Sequence, residues 1–169
     1  MPPTGAPALR AAPTATDWAR ERLYATVLPT REPLPVTATP RAVELATAAA
    51  EAAADKQAHD IVAYDVSEQL VITDVFLLCS GANDRQVRSI IDAVEEALRT
   101  HGAKPVRREG EREGRWVLLD YLDVVVHVQH LEERVYYSLE RLWKDCPVVP
   151  LPSTASDRQG QDTMDEVAG

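Results

Sequence analysis

Eight of the chain's twelve prolines fall within its first 40 residues: Pro2, Pro3, Pro7, Pro13, Pro29, Pro33, Pro35 and Pro40. Proline has no backbone N–H and a fixed φ, so a segment this dense in it cannot sustain a hydrogen-bond ladder. Residues 1–39 are therefore expected to be a disordered Pro- and Ala-rich extension, with at most a short helical turn around Asp17–Leu28. Residues 153–169 are polar and acidic and are expected to be a disordered tail. What remains, residues 40–152, is the length of one domain.

Within that domain, segments of helical period alternate with segments of strand character. Thr39 and Pro40 supply an N-cap and an N1 proline for an Ala-rich helix reaching to about Gln57. Ile61–Val66 and Val75–Cys79 read as strands joined by the polar connection Ser67–Asp74. Asn83 caps a second helix, with Gln86 placed for a capping box. Val87, Ile90, Ile91, Val94, Ala97 and Leu98 recur on one helical face, and Gly102 ends the helix. Pro105–Arg108 reads as an edge strand, because a proline is excluded from a central ladder. Trp116–Tyr121 and Val124–Gln129 form a hairpin turning at Leu122 and Asp123. A last helix is expected from about Leu131 to Lys144, stopped by Pro147 and burying Leu131, Val135, Leu139 and Leu142. The order α-β-β-α-β-β-β-α predicts an α/β (α+β) fold, a mixed five-stranded sheet with helices packed against it.

Charge restricts function. Residues 41–150 carry 13 Lys and Arg against 20 Asp and Glu, a net of −7. A domain that binds nucleic acid by neutralising phosphates is usually basic, so an RNA-binding role is disfavoured and a basic protein partner suits this surface better. Cys79 and Cys146 are the only cysteines and form no disulfide framework, which fits a reducing cytosol. No apolar run approaches the length of a membrane span, and a cytoplasmic location is expected.

Few residues suggest chemistry. Ser80-Gly81 lies between a strand and a helix N-terminus, a place where phosphates bind. A nucleotide-transfer site would want Gly-Ser there and two close metal-binding carboxylates on the next strand. The order here is reversed, and the nearby acids, Asp120 and Asp123, flank a turn. A tight strand-to-helix turn is the simpler reading, and neither a catalytic residue, a metal nor a cofactor is expected. His127 lies mid-strand with no ligand companion, as a structural group or a partner-facing hydrogen bonder. Arg107, Arg108, Arg112 and Arg115 are interleaved with Glu109, Glu111 and Glu113, so they read as an internally paired turn. Strand alternation puts Trp116, Leu118 and Asp120 on one face and Val117, Leu119 and Tyr121 on the other. Both faces are largely apolar, so this strand is either sandwiched by helices or offers one face to a partner.

Asp65-Val66-Ser67, Thr73-Asp74, Ser80-Gly81 and Arg85-Gln86-Val87 are followed by Glu109-Gly110, Trp116 through Tyr121 and Asp123. Then come Val125-Val126-His127-Val128, Tyr136-Tyr137 and Leu139-Glu140-Arg141-Leu142-Trp143. This ordered set resembles the bacterial ribosomal silencing factors, the Iojap-like family, and is most similar to those of actinobacteria. The resemblance covers roughly residues 41–150. It implies a nucleotidyltransferase-like fold without the catalytic residues, and a non-enzymatic protein. It also implies docking on the large ribosomal subunit through ribosomal protein fourteen, at the face that meets the small subunit. That would block subunit joining and lower translation when nutrients are scarce. Family members can also form homodimers. The partner-facing residues carry over onto Trp116, Leu118 and Asp120, and further onto His127, Asp74 and Arg85. The competing reading is a nucleotidyltransferase-like enzyme using the Ser80-Gly81 turn. The proline-rich residues 1–39 lie outside the family pattern.

Overall fold

A computed structural model describes residues 34–152. The expectations for the Asp17–Leu28 turn, for most of the N-terminal extension and for the tail from residue 153 lie outside the described residues.

The elements follow the expected order. They are α1 (Pro40–Asp55), β1 (His59–Asp65), β2 (Val75–Gly81), α2 (Asp84–Thr100), β3 (Arg107–Glu109), β4 (Trp116–Asp120), β5 (Val124–His130), α3 (Leu131–Tyr137) and α4 (Glu140–Trp143). The sheet order is β1-β2-β5-β4-β3. Only the β2–β5 pair is parallel, and the other three neighbouring pairs are antiparallel. The fold is thus the expected mixed α+β sandwich.

Both long helices start where their caps dictate. The Thr39 hydroxyl accepts from the Ala42 N–H, with Pro40 at the first helical position. The Asn83 side chain accepts from the Gln86 N–H at 2.9 Å. Gln86 reaches back to the Ala82 N–H, and its amide also donates to the Lys56 and Gln57 carbonyls past the end of α1. One glutamine thus caps α2 and ties it to α1. A Cβ on Gly81 would lie 2.9 Å from Val87 Cγ2 and 3.0 Å from the Val87 nitrogen. That glycine is there so the first turn of α2 can lie against the end of β2.

One face of the sheet carries Val75, Leu77 and Cys79 from β2, Val117 and Leu119 from β4, and Val124, Val126 and Val128 from β5. These residues form a single core with the alanines and Leu45 of α1 and with Val87, Ile90, Val94 and Leu98 of α2. The small alanine side chains let α1 lie close to the strands, so this face is fully covered.

The opposite face is covered by a different structure from the single helix expected. The chain breaks at Ser138, which adopts the left-handed conformation at φ 46°, giving the short α3 and α4. Val135 and Leu142, expected in the core, are instead 76% and 70% exposed. The residue that turns inward on α3 is Arg134, its only buried residue. Its guanidinium donates to the Ser80 hydroxyl at 3.0 Å, to the Asp60 carbonyl at 2.7 Å and to the Glu140 carboxylate. Three hydrogen bonds fix the rotation of α3 about its own axis. That rotation leaves Val135 outward and brings Leu139 and Trp143 down beside Tyr64, Leu78 and Cys146.

Residues 146–149 then run along the open side of β1. The Asp65 N–H donates to the Pro147 carbonyl and the Val149 N–H to the Ala63 carbonyl, both at 2.8 Å. The other edge, β3, is three exposed residues, two of them arginine, which blunts it against strand addition. Residues 37–39, counted with the extension by their sequence, are held to the domain. The Thr37 and Ala38 N–H groups donate to the Asp65 carboxylate, and the Thr39 N–H to Asp74 Oδ2 at 2.9 Å. Burial pushes the Asp65 carboxyl up, but the hydrogen bonds from Ser67, Ala38 and Thr37 outweigh it and hold it below its ordinary range.

Candidate functional site

The face not covered by α1 and α2 carries Phe76, Leu78 and Ser80 from β2. Beside them stand Val125, His127 and Gln129 from β5, and Trp116, Leu118 and Asp120 from β4. In the β4–β5 register Trp116 stands opposite Gln129, Leu118 opposite His127 and Asp120 opposite Val125. The two candidate strands thus put Trp116, Leu118, Asp120 and His127 together. Trp116, Leu118 and Asp120 are each half-buried, whereas Val117 and Leu119 on the same strand are buried. The ambiguity of a strand with two apolar faces is resolved by its coverings: one face is core, and the other keeps solvent access.

A row of aromatic rings crosses this face. Trp143 meets Phe76 edge-on with centroids 5.0 Å apart, and Phe76 meets His127 edge-on at 5.1 Å. His127 lies 6.0 Å from Trp116, Trp116 lies 4.8 Å from Tyr137, and Tyr137 meets Tyr136 at 5.0 Å. Edge-to-face and tilted contacts at these separations are the favourable geometries for aromatic rings. The outer end of the row is open, with Tyr136 81% and Tyr137 50% exposed. Val135, Tyr136, Tyr137 and Leu142 were missed as surface residues by sequence reasoning. One signal was available: Val135-Tyr136-Tyr137 are consecutive, and a helix cannot turn three successive large residues inward.

His127 is buried, and its Nδ1 accepts from the Trp116 Nε1–H at 3.2 Å. Burial, and after it the positive charge of Arg134, lower its pKa to about 4, so the ring is neutral at pH 7. Asp120 is fixed by its own turn, its Oδ1 accepting from the Leu122 N–H at 2.9 Å. Its other oxygen stays 3.6 Å from Arg107, so its negative charge lies at the margin of the apolar strip.

Two other candidates lie elsewhere. Asp74 is at the opposite end of β2 from the Ser80-Gly81 turn, holding the start of α1. Arg85 is exposed in the first turn of α2, the helix that covers the other face of the sheet. Neither joins the Trp116 surface. Ser80 is fully buried, with its hydroxyl accepting from Arg134, so the Ser80-Gly81 turn presents no hydroxyl to a phosphate. His130, Glu132 and Glu133 bring possible ligand atoms within 4.8 Å of one another. Arg115 already pairs with both glutamates, at 2.5 and 2.8 Å, and His130 Nδ1 accepts from the Glu132 N–H, so the group works as a charged cap on α3. None of the described helices is long and apolar enough to cross a membrane.

Comparison with known proteins gives the family. Residues 39–168 match the family described as ribosomal silencing factor during starvation. The chain is 45% identical over 103 residues to the ribosomal silencing factor of Bacillus subtilis, covering 61% of this chain and 87% of that one. It is 42% identical over 113 residues to that of Halalkalibacterium halodurans, covering 67% and 97%. The crystal structure of a Chromobacterium violaceum protein superposes with a TM-score of 0.58 at 36% identity, over 60% of this chain and 84% of that one. A family match over most of the chain, together with relatives matched over most of their own length, shows that this protein belongs to the ribosomal silencing factor family.

Proposed function

We propose that this protein docks on the large ribosomal subunit through the Trp116, Leu118 and Asp120 face and blocks joining of the small subunit by occupying the contact surface. The observation that carries the proposal is the half-buried aromatic strip left beside α3 and α4, with a carboxylate at its margin. An aromatic anchor surrounded by apolar contacts and rimmed by charge is the usual anatomy of a protein interface. The acidic balance of the domain suits a basic ribosomal protein, which the family resemblance gives as ribosomal protein fourteen. The action is occlusion without catalysis, in the cytoplasm and when nutrients are limiting. The family resemblance also gives a homodimer as a second assembly of the chain.

The test is sedimentation with purified subunits. The protein should travel with large subunits, not with joined ribosomes, and should reduce joining in proportion to its own concentration. Leu118→Ala and Asp120→Asn should each weaken large-subunit binding while leaving the melting temperature within a few degrees of wild type. Equal binding to joined ribosomes, or unchanged binding by both variants, refutes this face as the docking surface.

A further inference from the structure

Trp116 and His127 are diagonal neighbours on adjacent strands, since Trp116 stands opposite Gln129 and Leu118 opposite His127. A diagonal pair is too far apart for short side chains but within reach of aromatic ones. The indole spans this gap and donates its only N–H to His127 Nδ1 at 3.2 Å. A neutral imidazole accepts through one nitrogen and carries its hydrogen on the other, so Nδ1 must be bare and Nε2 protonated. Nε2 is buried and meets no acceptor among the described residues. The two nitrogens are therefore separable by role: one is engaged with Trp116, and the other is unpartnered.

Resting on the docking reading above, we propose that His127 is a positioning residue that, through its bare Nδ1, holds the Trp116 indole against Tyr137 in the orientation a partner meets, without touching the partner itself. A large side chain at a surface ordinarily samples several rotamers and loses that freedom on binding. Here the indole is restrained before any encounter, by a hydrogen bond at its nitrogen and by the ring of Tyr137 4.8 Å away. His127 is restrained in turn by Phe76, which meets it edge-on and is itself met edge-on by Trp143. Burial and the charge of Arg134 keep the imidazole neutral, which a bare Nδ1 requires.

The two nitrogens can be tested separately. An asparagine amide falls close to the Nδ1 position and a glutamine amide close to the Nε2 position. His127→Asn should thus keep an acceptor for Trp116, and His127→Gln should remove it. Three measurements on the full chain decide the matter: the tautomer of His127 by nitrogen NMR, exchange of the Trp116 indole N–H (assigned with Trp116→Phe), and binding to purified large subunits. In the wild type, Nδ1 should be unprotonated at pH 7 and the indole N–H slow to exchange. Binding should stay near wild type in His127→Asn and weaken by about fivefold to tenfold in His127→Gln, with the folded fraction matched. An Nδ1–H tautomer or an imidazolium in the wild type overturns the proposal, even if neither variant folds. Full binding by the glutamine variant with loss in the asparagine variant also overturns it, because Nε2 would then contact the partner. Full binding by both would show that docking does not need the indole held. If the wild type fails to bind large subunits, the docking reading falls, while the indole–imidazole bond is still decided by the NMR measurements.

Discussion

Replacing Arg134 by methionine keeps a similar unbranched stem and removes the guanidinium, which is 5% exposed. Three acceptors are left behind. The Ser80 hydroxyl is fully buried, and a buried polar group stripped of its partner costs about 1–3 kcal/mol. The Asp60 carbonyl, 2.7 Å from Arg134, lies on an exposed residue and can turn partly to water. The Glu140 side chain is 34% exposed, so its lost ion pair is discounted towards the roughly 1 kcal/mol of a solvent-screened pair. Against these losses stands the relief of no longer burying a cation. The balance is a loss of about 3 kcal/mol, at the lower end of what breaking a buried pair costs. For a domain of this size that lowers the melting temperature by roughly 10 °C. Urea unfolding followed by tryptophan fluorescence, with calorimetry alongside, measures both quantities. Arg134→Lys keeps the charge but cannot fork to three acceptors, and it should fall between wild type and Arg134→Met. A loss below about 1 kcal/mol in Arg134→Met, or a lysine variant equal to wild type, would refute the view that this side chain fixes α3 on the sheet.

Three further outcomes are expected. His127 titrates at about 4 in the folded protein against about 6.5 when unfolded, so its contribution is fully present above pH 6.5 and is lost as pH falls towards 4. The loss is roughly 3 kcal/mol, and urea midpoints of His127→Asn should lack this slope, whereas an identical slope in the variant would assign the titration to another group. A chain beginning at Pro40 lacks the Thr39 cap and the N–H donors that bind Asp65 and Asp74, and it should be about 2 kcal/mol less stable than a chain beginning at Leu34. Equal melting temperatures for the two would show that residues 34–39 contribute nothing. Gly81→Ala puts a methyl group against Val87 and should lower stability by about 1–3 kcal/mol, and an unchanged melting temperature would mean that α2 shifts freely.

Most of the fold could be read from the chain because local and global signals coincide in it. Asn83, Gln86 and the Val87–Leu98 stripe specify α2 three times over; the cap and the period do in the structure what their chemistry suggests, and Gln86 reaches one residue past the box, to the Ala82 N–H. Leu131–Lys144 is where that consistency fails. Its apolar residues could be threaded onto one helical stripe only if Arg134 pointed outward, and no local rule foretells that Ser80 and the Asp60 carbonyl lie 54 and 74 residues away as acceptors. With the guanidinium held by them and the chain broken at Ser138, Val135 and Leu142 are surface. The same fact explains why the Trp116 face was ambiguous in sequence. A strand with two apolar faces does not encode which of them is core, because that depends on what the rest of the chain lays over each. Here α1 and α2, of 16 and 17 residues, cover one face end to end, while α3 and α4, of seven and four, leave part of the other uncovered. Had α3 and α4 formed the single long helix expected, Val135 and Leu142 would have packed over this face and Trp116 would belong to a second core. The break at Ser138, with Arg134 holding α3 in its place, is therefore also what leaves Trp116 and Leu118 able to meet a partner.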